Sequence, residues 1–260
     1  MGFEHLDTIY YIILFFAALF AGFIDSIVGG GGLITLPALI ACGIPAHLSI
    51  ATNKVQSVCG AFTATITYFK STTLPHLAWG IFFTAVGAIL GSYSVLFVKD
   101  ENLKIIILIC LTLTFLYTAL RPNLGKYENN PKIKNIKIFY LVCGLILGFY
   151  DGFLGSGTGS FWIFACVTLL GFNMKKASMN TKILNFTSNI IALIIFLWQY
   201  EVLWKVGLIM AVGQILGAFL GSKLVLKSNG KFIKSLFLIV VGITIIKVAW
   251  DYFFEIKIYF

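Results

Sequence analysis

Charge is what this chain has least of. Only 11% of its 260 residues are Asp, Glu, Lys or Arg, against about 25% in soluble domains. Hydrophobic residues make up 59%, and the mean hydropathy is +0.96. So little charge excludes an ordinary soluble globular protein and makes lipid the main solvent. No polar stretch is long enough for a soluble domain. Acidic residues are scarcest, ten against nineteen basic, for a net charge of +9. That balance could suggest nucleic acid, but the basic residues sit in short loops between apolar runs, as topology signals do, so nucleic acid is set aside as a partner. Histidine is nearly absent: His5, His47 and His76 lie far apart near segment ends, which supports neither a zinc nor a haem site. The five cysteines, Cys42, Cys59, Cys110, Cys143 and Cys166, fall inside apolar segments without CxxC spacing. They read as small core residues, with no disulfide framework and no metal. Nothing resembles a Ser/His or Cys/His pair for nucleophilic catalysis, and no cofactor is expected. The flank MGFEHLD has neither Lys nor Arg, and no small-residue cleavage pattern follows it, so a cleavable signal peptide is not expected.

What is present is a duplication. Gly22 to Lys54 reads GFIDSIVGGGGLITLPALIACGIPAHLSIATNK, and Gly148 to Lys182 reads GFYDGFLGSGTGSFWIFACVTLLGFNMKKASMNTK. Each copy has an Asp after Gly-Phe-X, a glycine cluster, a short apolar run, and a lysine within a Thr/Asn group. Asp25 and Asp151 are 126 positions apart, Lys54 and Lys182 are 128 apart, and AVGAILG at Ala85 returns as AVGQILG at Ala211, again 126 later. Three matches at nearly one offset argue for two homologous halves.

A helix needs roughly 20 apolar residues to cross a bilayer. Runs of about that length occupy Thr8–Val28, Ser49–Phe69, Leu77–Val98 and Lys104–Leu120 in the first half, and Ile138–Leu154, Thr181–Trp198, Trp204–Val225 and Phe232–Trp250 in the second. Two runs, Leu33–Cys42 and Ser160–Leu170, reach only about halfway at 1.5 Å per residue. Both follow the glycine cluster. Short, glycine-interrupted segments at matching places in two halves are the best sequence pointer to a transporter's binding site.

If the short runs complete a crossing, each half has five segments and the second half is inverted. With the N-terminus outside, twelve of the nineteen basic residues then fall inside: Lys70, Arg121, Lys126, Lys132, Lys134, Lys137, Lys175, Lys176, Lys223, Lys227, Lys231 and Lys234. If the short runs are re-entrant instead, the repeats are parallel and the bias vanishes. The positive-inside rule therefore favours an all-α polytopic membrane protein of two inverted repeats, each with four full spans and one half-helix. The expected division is residues 1–121, a cytoplasmic linker 122–137 stopped by Pro122 and Pro131, and residues 138–260. The expected location is the plasma (cell inner) membrane.

Three groups of residues could carry chemistry. Along Ser49–Phe69, Asn53, Gln56 and Ser57 lie beside Lys54 on a polar stripe; Thr181, Lys182, Asn185, Ser188 and Asn189 are the counterpart. Hydroxyls and amides there serve either as interhelical glue or as ligands. A lysine inside a span is costly and usually belongs to a pathway, the alternative being snorkelling to the headgroups. The clusters Gly29, Gly30, Gly31, Gly32 and Gly155, Gly157, Gly159, with Thr158, precede short helices whose first N–H groups lack intrahelical partners. Such an end suits an anion; close helix packing is the bland reading. Asp25 and Asp151 are intramembrane acids, for coupling or gating, or as structural partners of Lys54, Lys182 or the loop amides. Gln214 is a weaker signal, and Trp79, Trp162, Trp198 and Trp204 fit an interfacial belt.

GFIDSIVGGGGLITLPAL followed by ATNKVQS resembles the first-half signature of the TauE/SafE family of sulfite exporters and anion permeases. GFYDGFLGSGTGSF, NTKILN and GQILGAFLG resemble the second. The resemblance spans nearly the whole chain and implies a multi-pass transporter of sulfite, sulfonates, sulfoacetate or similar small organic acids. The chain departs from the family's Gly-Pro-Gly-Thr-Gly by carrying Ser156 between Gly155 and Gly157, which frees the turn and adds a donor. The expectation is thus a secondary transporter, possible proton coupling included, whose partners are a small anion and the bilayer, with a second copy of the chain left open. A passive anion channel and an intramembrane aspartate-dependent enzyme are the alternatives.

Overall fold

The computed structural model describes residues 7–95, 116, 127–199, 201–228, 232–236, 238–239, 242–243 and 246. Within these the chain is helical: α1 (Thr8–Val28), α2 (Gly32–Ala41), α3 (Ala46–Tyr68), α4 (Leu77–Ser94), α5 (Ile136–Phe153), α6 (Thr158–Leu169), α7 (Met174–Gln199) and α8 (Trp204–Lys227). The expected span Lys104–Leu120 lies outside the described residues apart from Leu116, and only scattered residues of Phe232–Trp250 are described.

Among the described residues, five helices are long and apolar enough to cross a membrane: α1, α4, α5, α7 and α8. Their outward faces carry large hydrophobes, such as Ile9, Phe16 and Phe20 on α1 and Leu208, Val212 and Leu220 on α8. That is the pattern of a surface solvated by acyl chains. At 23 residues α3 is as long, but it is too polar to be counted with them; its Thr52, Asn53, Lys54 and Gln56 side chains are buried inside the bundle, where α3 packs on α7 and α8. α2 and α6 are the two short helices, with 10 and 12 residues. Because α6 is packed inside the protein, Trp162 is fully buried beside Phe139 rather than at an interface, unlike the exposed Trp79, Trp198 and Trp204. The belt expectation is therefore corrected for Trp162.

Glycine lets two pairs of helices touch backbone to backbone. Gly213, Gly217 and Gly221 of α8 face the main chain of Phe15, Leu19 and Phe23 in α1, which runs parallel to it. Gly87 and Gly91 of α4, with Gly144, Gly148 and Gly152 of α5, form a second parallel pair. The repeated AVGAILG and AVGQILG motifs supply Gly87, Gly91, Gly213 and Gly217 of these seams, the small-residue packing that membrane helices favour. Each seam joins the first helix of one half to the fourth of the other. Between them α3 and α7 run antiparallel, with Lys54 near Asn189, Phe62 near Phe186, and the segment after α3 (Thr73) near Asn180.

One end of the bundle gathers the described part of the linker, the α6–α7 turn, the α3–α4 turn and the end of α8. Asn129 N–H donates to the Gly171 carbonyl (2.7 Å), and Lys132 and Ile133 donate to that of Leu169 (2.9 and 3.1 Å). Glu128 pairs with Lys176 at 3.0 Å, and Lys175 donates to the Leu226 carbonyl at 2.7 Å. The linker thus closes the otherwise open C-terminus of α6. The opposite end holds the starts of α1 and α8, where Lys205 lies over the Tyr11 ring, and the contact of the Leu203 N–H with Thr52.

Candidate functional site

The site grows from two broken helices. α1 stops at Gly29 (φ 78°) and α5 at Leu154–Gly155, where Gly155 has φ 76°. These left-handed turns suit glycine. A helix that ends inside a membrane leaves its last four carbonyls without intrahelical partners. In α1 all four receive a side-chain donor from elsewhere: Lys182 on Asp25, Tyr68 on Ser26 (2.9 Å), Ser178 on Ile27, and Ser160 on Val28 (3.0 Å). In α5, Lys54 donates to the Asp151 carbonyl (2.8 Å) and Ser92 to that of Gly152 (3.1 Å).

The two sequence-predicted lysines therefore sit on the two sequence-predicted aspartates, each across the halves. Lys54 Nζ is 2.9 Å from Asp151 Oδ1, and Lys182 Nζ is 3.1 Å from Asp25 Oδ2. Each lysine is the ninth residue of its helix, about 12 Å in from the helix start. Both are buried, which removes the snorkelling reading. The pairs differ in their surroundings. Asp151 is completely buried and also accepts from Ser188 and from Asn189 Nδ2 (3.0 Å), while the side chain of Asp25 keeps 15% exposure and accepts from the Gly31 N–H (3.1 Å).

The half-helices α2 and α6 start where the breaks cross. Gly29 lies against the backbone of Gly159 and Ser160, and Gly30 beside the Ser160 side chain. Gly32 approaches Ser156, whose buried hydroxyl has no hydrogen-bond partner among the described residues. Around this crossing lies a small polar cavity of about 20 Å³, lined by Asp25, Gly32, Ser57, Gly155, Gly159, Asn185, Asn189 and Gln214, room for about one water. Of the sequence-predicted residues, Asp25, Gly32, Ser57, Gly159 and Asn185 line it. Ser57 and Asn185 occupy equivalent places in the two copies, 128 positions apart like the lysines.

The others surround it. Asn53 and Gln56 form a buried network with Thr35 of α2: Thr35 donates to Asn53 Oδ1 (2.5 Å), and Gln56 Nε2 to Asn53 Oδ1 (2.7 Å) and to Thr35 (3.0 Å). Thr158 bonds to the Gly155 carbonyl (3.2 Å), Gly157 caps α6 with φ 86°, and Thr181 bonds within its own helix to Ser178 (3.2 Å). Asn189 of the polar-stripe counterpart, Gly155 of the second glycine cluster and Gln214, the weaker signal, line it too. For Asn189 the available signal was its i, i+4 spacing from Asn185, which puts both amides on one face. Among the described residues no group of three or more His, Cys, Asp or Glu could hold a metal ion.

Comparison with known proteins agrees with this picture. The profile of the family described as sulfite exporter TauE/SafE matches residues 14–248. The chain is 42% identical over 241 residues to the probable membrane transporter protein YfcA of Escherichia coli K12, covering 92% of this chain and 89% of the relative. It is 43% identical over 229 residues to the probable membrane transporter protein ORF9 of a Sinorhizobium species, covering 87% of each. With the Haemophilus influenzae probable membrane transporter protein it shares 37% over 241 residues, 92% of this chain and 94% of that one. Buried charges at the breaks of two helices, apolar spans around them and a match along most of its length together make the chain a multi-pass membrane transporter that belongs to the TauE/SafE family.

Proposed function

We propose that this transporter is a proton-coupled carrier for a small sulfur-containing anion such as sulfite, a sulfonate or sulfoacetate, built from two inverted repeats. The observation that carries the proposal is the crossing of the two half-helices, which turns the N–H ends of α2 and α6 toward one polar cavity. A helix N-terminus carries about half a positive charge and unpaired donors. Two of them aimed at one enclosed point favour an anion.

Several contacts support the inversion. The basic linker, the α6–α7 turn with Lys175 and Lys176, and the end of α8 share one end of the bundle. Parallel repeats would separate them across the membrane. The antiparallel course of α3 and α7 agrees with it as well.

In this mechanism Ser57, Asn185 and the helix-start amides replace the anion's hydration shell. The reciprocal pairs Lys54–Asp151 and Lys182–Asp25 hold the broken ends in place. A proton on a carboxylate would loosen its lysine and the helix end that lysine caps, which ties proton movement to opening of the cavity. The small closed cavity favours a carrier over a continuously open channel. Each aspartate is paired with a lysine, which does not suit a two-aspartate enzyme whose acids share a proton.

The test is flux of radiolabelled sulfite and sulfonates in proteoliposomes with and without a proton gradient. Accumulation that collapses with the gradient supports the coupled carrier. Flux that only equilibrates, whatever the gradient, contradicts the coupling, and absence of flux for every sulfur anion contradicts the substrate class.

A further inference from the structure

We infer that the cavity selects a singly charged anion that itself donates a hydrogen bond, and that Gln214 imposes this choice; the inference rests on the anion-carrier reading above. Gln214 is where the two copies diverge at the centre. In AVGAILG the equivalent residue is Ala88, whose main chain packs on Gly152 of α5. In AVGQILG the glutamine crosses over Gly60 of α3, in space that a side chain at position 60 would fill, and the residue lines the cavity. Gln214 is only 2% exposed, and its Oε1 has no hydrogen-bond partner among the described residues.

A buried acceptor without a donor is destabilising. The rest of the lining shows what is missing. Ser57 accepts from Gln56 Nε2 at 3.3 Å, which leaves its own O–H proton to give. Asn185 Oδ1 accepts from Asn189 at 3.0 Å, which leaves its Nδ2 group to give. The amides that open α2 and α6 are donors too. Around the cavity the neutral side chains offer donors, and Gln214 Oε1 is an unused neutral acceptor among them. Once the cavity opens beyond the one-water volume of this state, acceptor oxygens of an anion satisfy the donors, and a hydroxyl or acidic proton on the same molecule satisfies Gln214.

Charge sets the second condition. Lys54 and Asp151 cancel, as do Lys182 and Asp25. What remains positive is the pair of helix N-termini, together at most about one positive charge and partly offset by the C-terminal ends of α1 and α5 at the same crossing. A second negative charge on the passenger is left unmatched beside Asp25. The passenger class is therefore hydrogen sulfite or a hydroxyalkanesulfonate, and a dianion such as sulfate, a disulfonate or doubly ionised sulfoacetate is excluded.

The experiment is a thermal-shift titration of the detergent-purified full chain with 2-hydroxyethanesulfonate, methanesulfonate, ethane-1,2-disulfonate and sulfate, on the wild type and on Gln214→Met and Gln214→Ala. Met keeps the volume over Gly60, and Ala restores the residue of the first copy, so at least one variant should fold. In the wild type, 2-hydroxyethanesulfonate is expected to bind about tenfold more tightly than methanesulfonate, a difference of one hydrogen bond, with no shift from either dianion. In the variants that preference is expected to fall to about one. Equal binding of the disulfonate by the wild type, or a hydroxyl preference that survives in both variants, overturns the inference and leaves the anion carrier standing. If none of the four compounds nor sulfite stabilises a folded wild-type protein, the anion site itself is refuted, and this inference with it.

Discussion

Lys54 grips Asp151 twice, at its carboxylate (2.9 Å) and at its main-chain carbonyl (2.8 Å), although the two residues belong to opposite halves of the chain. One side chain thereby neutralises a buried acid and caps the helix that ends beside it. Lys182 does the same for Asp25.

Removing one member of such a pair strands the other. Lys54→Met leaves the fully buried Asp151 without its cation, and a loss of about 3–5 kcal/mol is expected. Adding Asp151→Asn should recover most of that loss, because no charge is then left behind. Lys182→Met should cost less than Lys54→Met, since the Asp25 side chain keeps 15% exposure and can hydrate. Thermal unfolding of the wild type and the three purified variants checks the order; an equal loss in Lys54→Met and in the double variant would contradict it.

Gly155 makes room for the Lys54 ammonium. A methyl group there would lie 2.9 Å from Asp151 Oδ1 and closer still to Lys54 Nζ, on a backbone at φ 76°. Gly43 has a similar φ of 81°, with nothing within 4 Å of the space a methyl would take. Gly43→Ala should therefore show only the conformational cost, about 1–2 kcal/mol, and Gly155→Ala distinctly more. Comparable melting points for the two variants would separate Gly155 from the ion pair.

Tyr68 is buried and gives its hydroxyl proton to the Ser26 carbonyl at 2.9 Å. Tyr68→Phe keeps the ring and leaves that carbonyl only the longer contact from the Ser178 hydroxyl (3.4 Å), for an expected loss of about 1 kcal/mol. Hydrogen exchange at the end of α1 should rise in this variant more than elsewhere.

Asn185→Asp tests the site rather than the fold. It adds a negative charge to a cavity proposed for anions and keeps the size of the side chain. Transport of sulfite or sulfonate in proteoliposomes should fall at least tenfold, with protein yield and melting point changed far less. Wild-type flux would remove Asn185 from the binding surface.

At the edge of the protein the same chemistry carries little weight. Glu128 and Lys176 pair at 3.0 Å with side chains 51% and 27% exposed, so Glu128→Gln should change stability by no more than about 1 kcal/mol.

Much of this was legible from residue order alone. The paired half-helices followed from glycine clusters set before runs too short to span, and the importance of Lys54, Lys182, Asp25 and Asp151 from the cost of charge in lipid. Which lysine would meet which acid was not legible, because the partners lie 97 and 157 positions apart and no local pattern links them. α7 begins at Met174 rather than Thr181: a hydropathy ruler discounts MKKASMN as loop, whereas in the fold Ala177, Ser178 and Asn180 are buried. Trp162 misled for the opposite reason, since an aromatic near a polar break reads as an interface when the break itself lies in the core. Gln214 was undervalued because it stands alone in an apolar run, and only the packing over Gly60 shows where its amide goes.

The exchange of first and fourth helices has a consequence for how the protein can move. α1 is zipped to α8 and α5 to α4 through bare glycine backbone, so the described helices of the two copies, α1–α4 and α5–α8, are interleaved rather than hinged. Swinging one half away from the other would tear both seams open into lipid. Opening toward either side of the bilayer must instead let the two zipped pairs tilt as crossed struts about α3 and α7, and a cut in the linker alone should leave a protein that still holds together.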